Sequence, residues 1–301
     1  MDKLMVFDIG GSSIKWSVMD VGGTSMCSGK EAVPQSADVF FELLAQLCKN
    51  QMLVYELKGI AISSPGAVDV ETGIVGGASA IPYIHGPNFK AILKAKTGLE
   101  VAIENDANCA ALGESWLGAG KGYEDMAFVV CGTGIGGALI KSGKLHKGVH
   151  LHGGEFGYCI LEMDPKAENP YGTWSRLGST GALLRNYAQR SGEDVSHLSG
   201  EIIFEKAQGG DENARQSIED FYRYMAMGIY NIQYSYDPEV IVMGGAISER
   251  KDFLSSLKMA LDHIFDCGAE GTIRPLVKCS ENGNKANLLG ALRHFLISFP
   301  S

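Results

Sequence analysis

Residues 3–19 read KLMVFDIGGSSIKWSVM, and residues 126–140 read MAFVVCGTGIGGALI. Each is a pair of β-rich apolar runs around a glycine-rich turn, the pattern of a hairpin. A second turn follows each, Gly22-Gly23 in the first case and Ser142-Gly143 in the other. The same device near the start and near the middle of one chain predicts a weak internal duplication, one hairpin per domain. Elsewhere strands are predicted at 58–63, 100–103 and 239–243, and helices at 37–49, 88–96, 106–117, 179–190, 212–235, 250–266 and 285–297. Strands alternating with helices imply an α/β fold. In the segment 212–235 the residues Ile218, Phe221, Met225, Ile229 and Ile232 recur at helical spacing, which predicts a long helix through the core of the second domain. Gly113, Gly118, Gly120 and Gly122 cluster ahead of the second hairpin. They put the boundary there: a first domain over 1–117, a second over 118–289, and a C-terminal helix at about 290–301 packing back on the first.

The 301 residues suffice for two domains of ordinary size. With 45% hydrophobic and 20% charged residues the chain is globular. A net charge of -9 repels nucleic acid and anionic membrane, so neither is expected as a main partner. An anionic ligand would have to be held by backbone N–H groups and a metal ion, not by a basic field. The seven cysteines are odd in number and contain no C-x-x-C pair, which argues against a disulfide framework or a cysteine-rich zinc site. No signal-peptide layout and no apolar run of membrane-spanning length is visible, and a reducing cytoplasm is the expected location.

Five stretches could carry chemistry. In Asp8-Ile9-Gly10-Gly11-Ser12 a carboxylate ends a strand and the glycines expose N–H groups at a tight turn. Such a turn can cradle a phosphate, and the carboxylate can hold Mg²⁺ through water; an ordinary hairpin turn would read the same way. Gly132-Thr133-Gly134-Ile135-Gly136-Gly137 superficially matches a dinucleotide fingerprint, but a strand-like run and not a helix follows it, which argues against a Rossmann site. Two strand–turn–strand loops together point to a nucleotide held between two similar domains. Glu104-Asn105-Asp106-Ala107-Asn108 follows a predicted strand and opens a predicted helix. Asn105 or Asp106 reads as its N-cap, and Asp106 equally as a base that takes the proton of an attacking hydroxyl. In Gly153-Gly154-Glu155-Phe156-Gly157-Tyr158 the carboxylate could accept hydrogen bonds from two ring hydroxyls, or the segment is a turn with a solvated Glu. The strand ending in Gly244-Gly245 brings backbone close to a ligand or to a neighbouring strand. His146, His150 and His152 lack a companion at metal-ligand spacing.

In order, D-I-G-G-S, S-P-G-A-V-D, E-N-D-A-N-C-A-A-L-G-E, C-G-T-G-I-G-G, G-G-E-F-G and D-P-E-V-I-V-M-G-G resemble the ROK family (repressors, open reading frames and kinases) over nearly the whole chain. The resemblance implies the actin-like ATPase (ribonuclease H-like) fold, with two similar α/β domains flanking a nucleotide and sugar cleft. It implies a phosphotransferase with an alcohol acceptor, Mg-ATP as donor and usually a homodimer. By position, Asp106 resembles the catalytic base for the sugar's 6-hydroxyl, and Asn105 and Glu155 resemble sugar-binding residues, with Tyr158 and Gly66 counted beside them. Asp8, Gly10, Gly11, Ser12 and Lys15 correspond to the first phosphate loop and its surroundings. Gly132, Thr133 and Gly134 correspond to the second loop, and Gly244 and Gly245 to the adenosine side. Asp8 would meet the Mg²⁺ through water.

Two departures stand out. Many members carry G-E-x-G-H, and here the His position is Tyr158; many then carry C-x-C-G-x-x-G-C, and residues 169–180 contain no cysteine. No structural zinc is therefore expected, and Ser175 takes the place of a Glu that often follows the zinc motif. Groups that usually contact the C1–C2 side of the sugar are thereby lost, and the pattern is similar to the β-glucoside kinases of the family. Glucokinase, N-acetylmannosamine kinase or fructokinase specificity on the same scaffold and a non-catalytic sugar sensor are the alternatives. A repressor would need a DNA-binding domain ahead of the first strand, which begins at about residue 4.

Overall fold

The structure, a computed structural model, describes residues 2–166 and 168–300. Along the chain run β1 (Lys3–Ile9), β2 (Ser13–Asp20), β3 (Ser25–Ala32), α1 (Ala37–Met52), β4 (Leu57–Ser64), β5 (Ala67–Asp69), β6 (Ile74–Gly76), α2 (Phe89–Thr97), β7 (Glu100–Asn105) and α3 (Asp106–Leu117). Then follow β8 (Met126–Cys131), β9 (Ile135–Lys141), β10 (Lys144–Leu145), β11 (Ile160–Met163), β12 (Tyr171–Thr173), α4 (Trp174–Leu177), α5 (Thr180–Ser191), α6 (Gly200–Gln208), α7 (Glu212–Tyr236), β13 (Val240–Gly244), α8 (Phe253–Asp266), β14 (Val277–Cys279) and α9 (Ala286–Ser298). Residue 301, the predicted end of the C-terminal helix, lies outside the described residues, and α9 stops at Ser298.

The chain forms two units. The first takes the residues up to Lys121, then Lys147–Gly153, then those from Asn284 onward; the second takes Gly122–His146 and Gly154–Gly283. The span 118–289 expected for the second domain is thus interrupted, and the whole of α9 belongs to the first unit.

Each unit is built on a five-stranded sheet of one design. The orders are β3-β2-β1-β4-β7 and β10-β9-β8-β13-β14. In the first, β1, β2 and β3 pair antiparallel while β1, β4 and β7 run parallel. In the second, β8, β9 and β10 pair antiparallel while β8, β13 and β14 run parallel. The turns read as Gly22-Gly23 and Ser142-Gly143 join β2 to β3 and β9 to β10; Gly23, Ser142 and Gly143 all adopt positive φ (90°, 50° and 70°), as tight hairpins require.

Strand β1 is apolar from Leu4 to Phe7 and again at Ile9 because both of its faces are covered. Met5, Phe7 and Ile9 pack with Phe40, Phe41 and Phe89 of α1 and α2, whereas Leu4 and Val6 pack with Cys109 of α3 and Leu289, Leu292 and Phe295 of α9. Helices α3 and α9 touch backbone to backbone. A Cβ on Gly290 would stand 1.6 Å from the Cys109 carbonyl oxygen, and one on Gly113 would stand 2.3 Å from that of Ala286. In the second unit α7 buries Phe221, Met225, Ile229 and Ile232 as the spacing predicts, while Ile218 is only partly buried at the edge of that core. Among the described residues no helix is long and apolar enough to cross a membrane.

Candidate active site

In the first unit the site gathers at the carboxyl ends of the parallel strands, where open α/β sheets bind ligands. The strand registers pair Asp8 with Ser63 and Ser63 with Glu104, so the three side chains form a polar row across β1, β4 and β7. They point to the α3/α9 side, in line with Leu4 and Val6. Asp8 is 8% exposed. Its Oδ1 accepts from Ser63 Oγ and Asn287 Nδ2, each at 3.0 Å. Lys15 lies opposite Asp8 on β2, with its Nζ 3.8 Å from Asp8 Oδ2 and 3.4 Å from Asn284 Oδ1.

Between β1 and β2 the turn is closed by Gly10 N–H donating to Ser13 O at 2.9 Å. Gly11 and Ser12 at its tip are exposed, and a Cβ on Gly11 would come within 3.0 Å of Ala80 Cβ. A phosphate chain fits such a turn. Asp8 fits a metal reached through water, since its carboxylate is already oriented by two neutral donors and a nearby ammonium.

The β7–α3 junction places Asn105 and Asp106. Asn105 is the N-cap: its Oδ1 accepts from Asn108 N–H at 3.1 Å, the capping expected of this residue type. Its Nδ2 donates at 3.0 Å to both Gly66 O and Asp106 Oδ1. Asp106 opens the helix, half-buried, and the same Oδ1 accepts from Ala107 N–H at 2.8 Å. The carboxylate is therefore held in one orientation by its own neighbours. Gly66 has φ of 101°, and a Cβ there would lie 2.8 Å from Gly76 O, so only glycine suits the position. The structure thus brings Asp8, Gly10, Gly11, Ser12, Lys15, Gly66, Asn105 and Asp106 into one unit.

The second unit holds the remaining candidates. Gly132, Thr133 and Gly134 form the exposed turn between β8 and β9, closed by Gly132 N–H donating to Gly134 O at 2.9 Å. A Cβ on Gly132 would meet nothing within 4 Å, which leaves that side of the turn open to a ligand. The turn is braced from behind. Ser175 Oγ accepts from Ile135 N–H at 2.9 Å and donates to Ile135 O at 3.1 Å, and Ser179 Oγ donates to Thr133 O at 2.9 Å. Ser175 thus supports the second loop.

Glu155 and Tyr158 begin and end one turn of 3₁₀ helix over 156–158, in which residues three apart lie on one face. Both are exposed, Tyr158 by 73%. Buried Phe156 between them anchors the turn, its ring 6.4 Å from that of Trp174. Gly244 and Gly245 sit where β13 meets β8: a Cβ would come within 2.7 Å of the Phe128 ring and 2.1 Å of Cys131 O respectively. The packing of these strands by itself demands glycine at both positions. Among the described residues no group of three or more His, Cys, Asp and Glu is placed to hold a metal ion.

Composition reads Ser63 as the head of a turn over 63–69, whereas it lies within β4, and sequence patterns do not single out Asn287 or Lys147. The Ser63–Asp8 and Asn287–Asp8 pairs are 55 and 279 residues apart, so no local signal announces them.

The profile of the ROK family matches residues 5–296. A β-glucoside kinase of Listeria innocua is 37% identical over 298 residues, covering 98% of this chain and 97% of that protein. A ROK family protein of Streptococcus pneumoniae, solved in complex with sucrose, superposes with a TM-score of 0.90 at 37% identity, covering 98% of each chain. A ROK glucokinase of Streptomyces griseus, solved with glucose and AMPPNP, gives a TM-score of 0.78 at 27% identity, covering 96% of this chain and 98% of the other.

Proposed function

The chain belongs to the ROK family, and we propose that it is an ATP-dependent sugar kinase that phosphorylates the 6-hydroxyl of a β-glucoside, with Asp106 as the base. The observation that carries this reading is the β7–α3 junction, where Asn105 fixes Asp106 at the mouth of a helix in the same unit as the Asp8–Ser12 turn. The identity with a β-glucoside kinase across 98% of the chain supports the acceptor class.

Bound Mg-ATP supplies the phosphoryl group and neutralises its charge. The chain does the rest by orientation and hydrogen bonding. The Gly10–Gly11–Ser12 turn is one phosphate-binding loop and the Gly132–Thr133–Gly134 turn another, each acting through N–H groups other than those of Gly10 and Gly132, which close the turns. Asp8, steadied by Ser63, Asn287 and Lys15, would hold the Mg²⁺ through water. Gly244 and Gly245 border the adenosine. On the acceptor, Asn105 and Glu155 take ring hydroxyls, while Gly66 acts through the carbonyl that binds Asn105. As the bond from O6 to phosphorus forms and the bond to the β-phosphate oxygen breaks, the O6 proton passes to Asp106. Tyr158 offers an exposed ring beside Glu155, a surface for the second sugar or aryl group at O1. The protein works as a homodimer in the cytoplasm; its seven free thiols suit a reducing compartment.

The test is a competition. The protein is given Mg-ATP with equal amounts of cellobiose and glucose, and the products are identified by mass. A disaccharide monophosphate as main product is expected. A product pool dominated by glucose phosphate would remove the β-glucoside assignment.

A further inference from the structure

Glu104 and Lys147 form a buried ion pair that the phosphoryl-transfer mechanism does not itself use. The side chains are 1% and 16% exposed. Lys147 Nζ lies 3.0 Å and 2.9 Å from the two Glu104 carboxylate oxygens and 3.1 Å from Val68 O. Three acceptors thus match the three protons of the ammonium. Glu104 Oε1 also accepts from Asn105 N–H at 2.8 Å and from Asn108 Nδ2 at 3.0 Å. The pair therefore grips the peptide that leads directly into Asn105 and Asp106.

The other end of the pair belongs to an exposed loop. Val149, His150, Leu151 and His152 are all exposed, Val149 by 93%. Lys147 O accepts from Gly153 N–H at 2.8 Å and closes the base of this loop. One residue thus ties the loop shut through its backbone and fastens it to β5 and β7 through its side chain. Gly154 and Glu155 follow immediately in the sequence. A buried ion pair is on balance a weak source of stability, because desolvation offsets most of its attraction. Its geometry is better suited to fixing positions.

We propose that Lys147 is a positioning residue for the acceptor side of the reaction, holding the 147–153 loop and the Asn105–Asp106 junction in register through Glu104. This rests on the kinase reading above. Leaving Glu104 buried without its partner forces its carboxylate to move, and the Asn105 N–H moves with it.

The experiment compares Lys147→Arg, Lys147→Met and the double variant Lys147→Met/Glu104→Gln with the parent protein. The double variant carries no unpaired buried charge, so it separates folding from positioning. Lys147→Met should lower acceptor kcat/KM by about tenfold or more, with KM for ATP within about threefold of the parent and partial rescue by Lys147→Arg. The double variant should regain the melting temperature of the parent but not its acceptor kcat/KM. Recovery of both together would overturn the proposal, since the pair would then matter only for stability. Limited proteolysis gives a readout that needs no activity. Elastase should cut within 148–152 about tenfold faster in the double variant, and an unchanged rate would equally overturn the proposal. A parent protein that phosphorylates no sugar while the double variant is cut faster would sink the kinase reading and leave the anchoring role standing.

Discussion

Replacing Gly290 by alanine puts a methyl group where α9 meets α3 with no room to spare. The new Cβ would lie 1.6 Å from the Cys109 carbonyl oxygen, and contacts under 3.0 Å do not occur for real Cβ atoms. The helices must then separate by at least 1.4 Å, the difference between these two distances. No rotamer change can relieve a clash with backbone. Overpacking of this kind costs about 3 kcal/mol, the upper end of its usual range. The separation also draws Asn287 away from Asp8, whose 3.0 Å hydrogen bond crosses from α9 to β1, and a lost hydrogen bond adds about 1 kcal/mol. Urea unfolding of Gly290→Ala should therefore show about 4 kcal/mol of lost stability. KM for ATP should rise, because the Asp8 carboxylate loses one of the two hydrogen-bond donors that orient it. The control is Gly98→Ala at the C-cap of α2. It has φ of 76° and nothing within 4 Å of its Cβ, so only the left-handed strain of roughly 1–2 kcal/mol applies. If Gly290→Ala costs no more than Gly98→Ala, helix docking through bare backbone is not what fixes α3.

Three further outcomes are expected. Asp106→Ala should lower kcat on the preferred sugar by about 10³-fold, as removal of a general base does, and a loss below about tenfold would unseat the assignment. Burial pushes the His294 imidazole below its ordinary value, against the opposing pull of Glu104 and a hydrogen bond with the Ile103 backbone, while Lys147 and Lys90 add to the lowering. The unfolded chain therefore binds the extra proton first, so His294 removes stability as pH falls below about 6.5; His294→Asn should flatten that acid limb of a melting-temperature profile, and an unchanged limb would count against it. Burial also pushes Cys48 up to about 12 and Cys131 up to about 11, with Cys109 raised as well. Iodoacetamide at neutral pH should mark exposed Cys159 and Cys267 first, and equal labelling of the buried three would contradict the packing.

Much of this architecture is written locally. The segment 106–117 is a helix with the limits its pattern gives, because Asn105 caps it and Gly118 follows it. The β1–β2 and β8–β9 hairpins are legible because apolar runs of matching length flank their glycines. Strand β3 went unread because its sequence SMCSGKEA has almost no buried position: it is a sheet edge, and nothing selects for apolar alternation there. Helix α6 was missed for a different reason. Its Ile202-Ile203-Phe204 run is too short to show a period. The ties that orient the site could not be read from spacing, since Lys147 and Glu104 are 43 residues apart and no local pattern links them. Gly244 and Gly245 show the reverse limit. A glycine pair signals close approach but not to what, and Phe128 and Cys131 already fill the space its side chains would need.

Following ADP release with Mg-ATP against glucose, mannose, fructose, N-acetylmannosamine, cellobiose and gentiobiose tests the kinase assignment and its acceptor class together. Fast turnover with cellobiose or gentiobiose, weak turnover with free hexoses, and loss of both in Asp106→Asn are expected. No release above background with any acceptor, from folded protein that binds ATP, would contradict the assignment, and so would turnover that survives in Asp106→Asn.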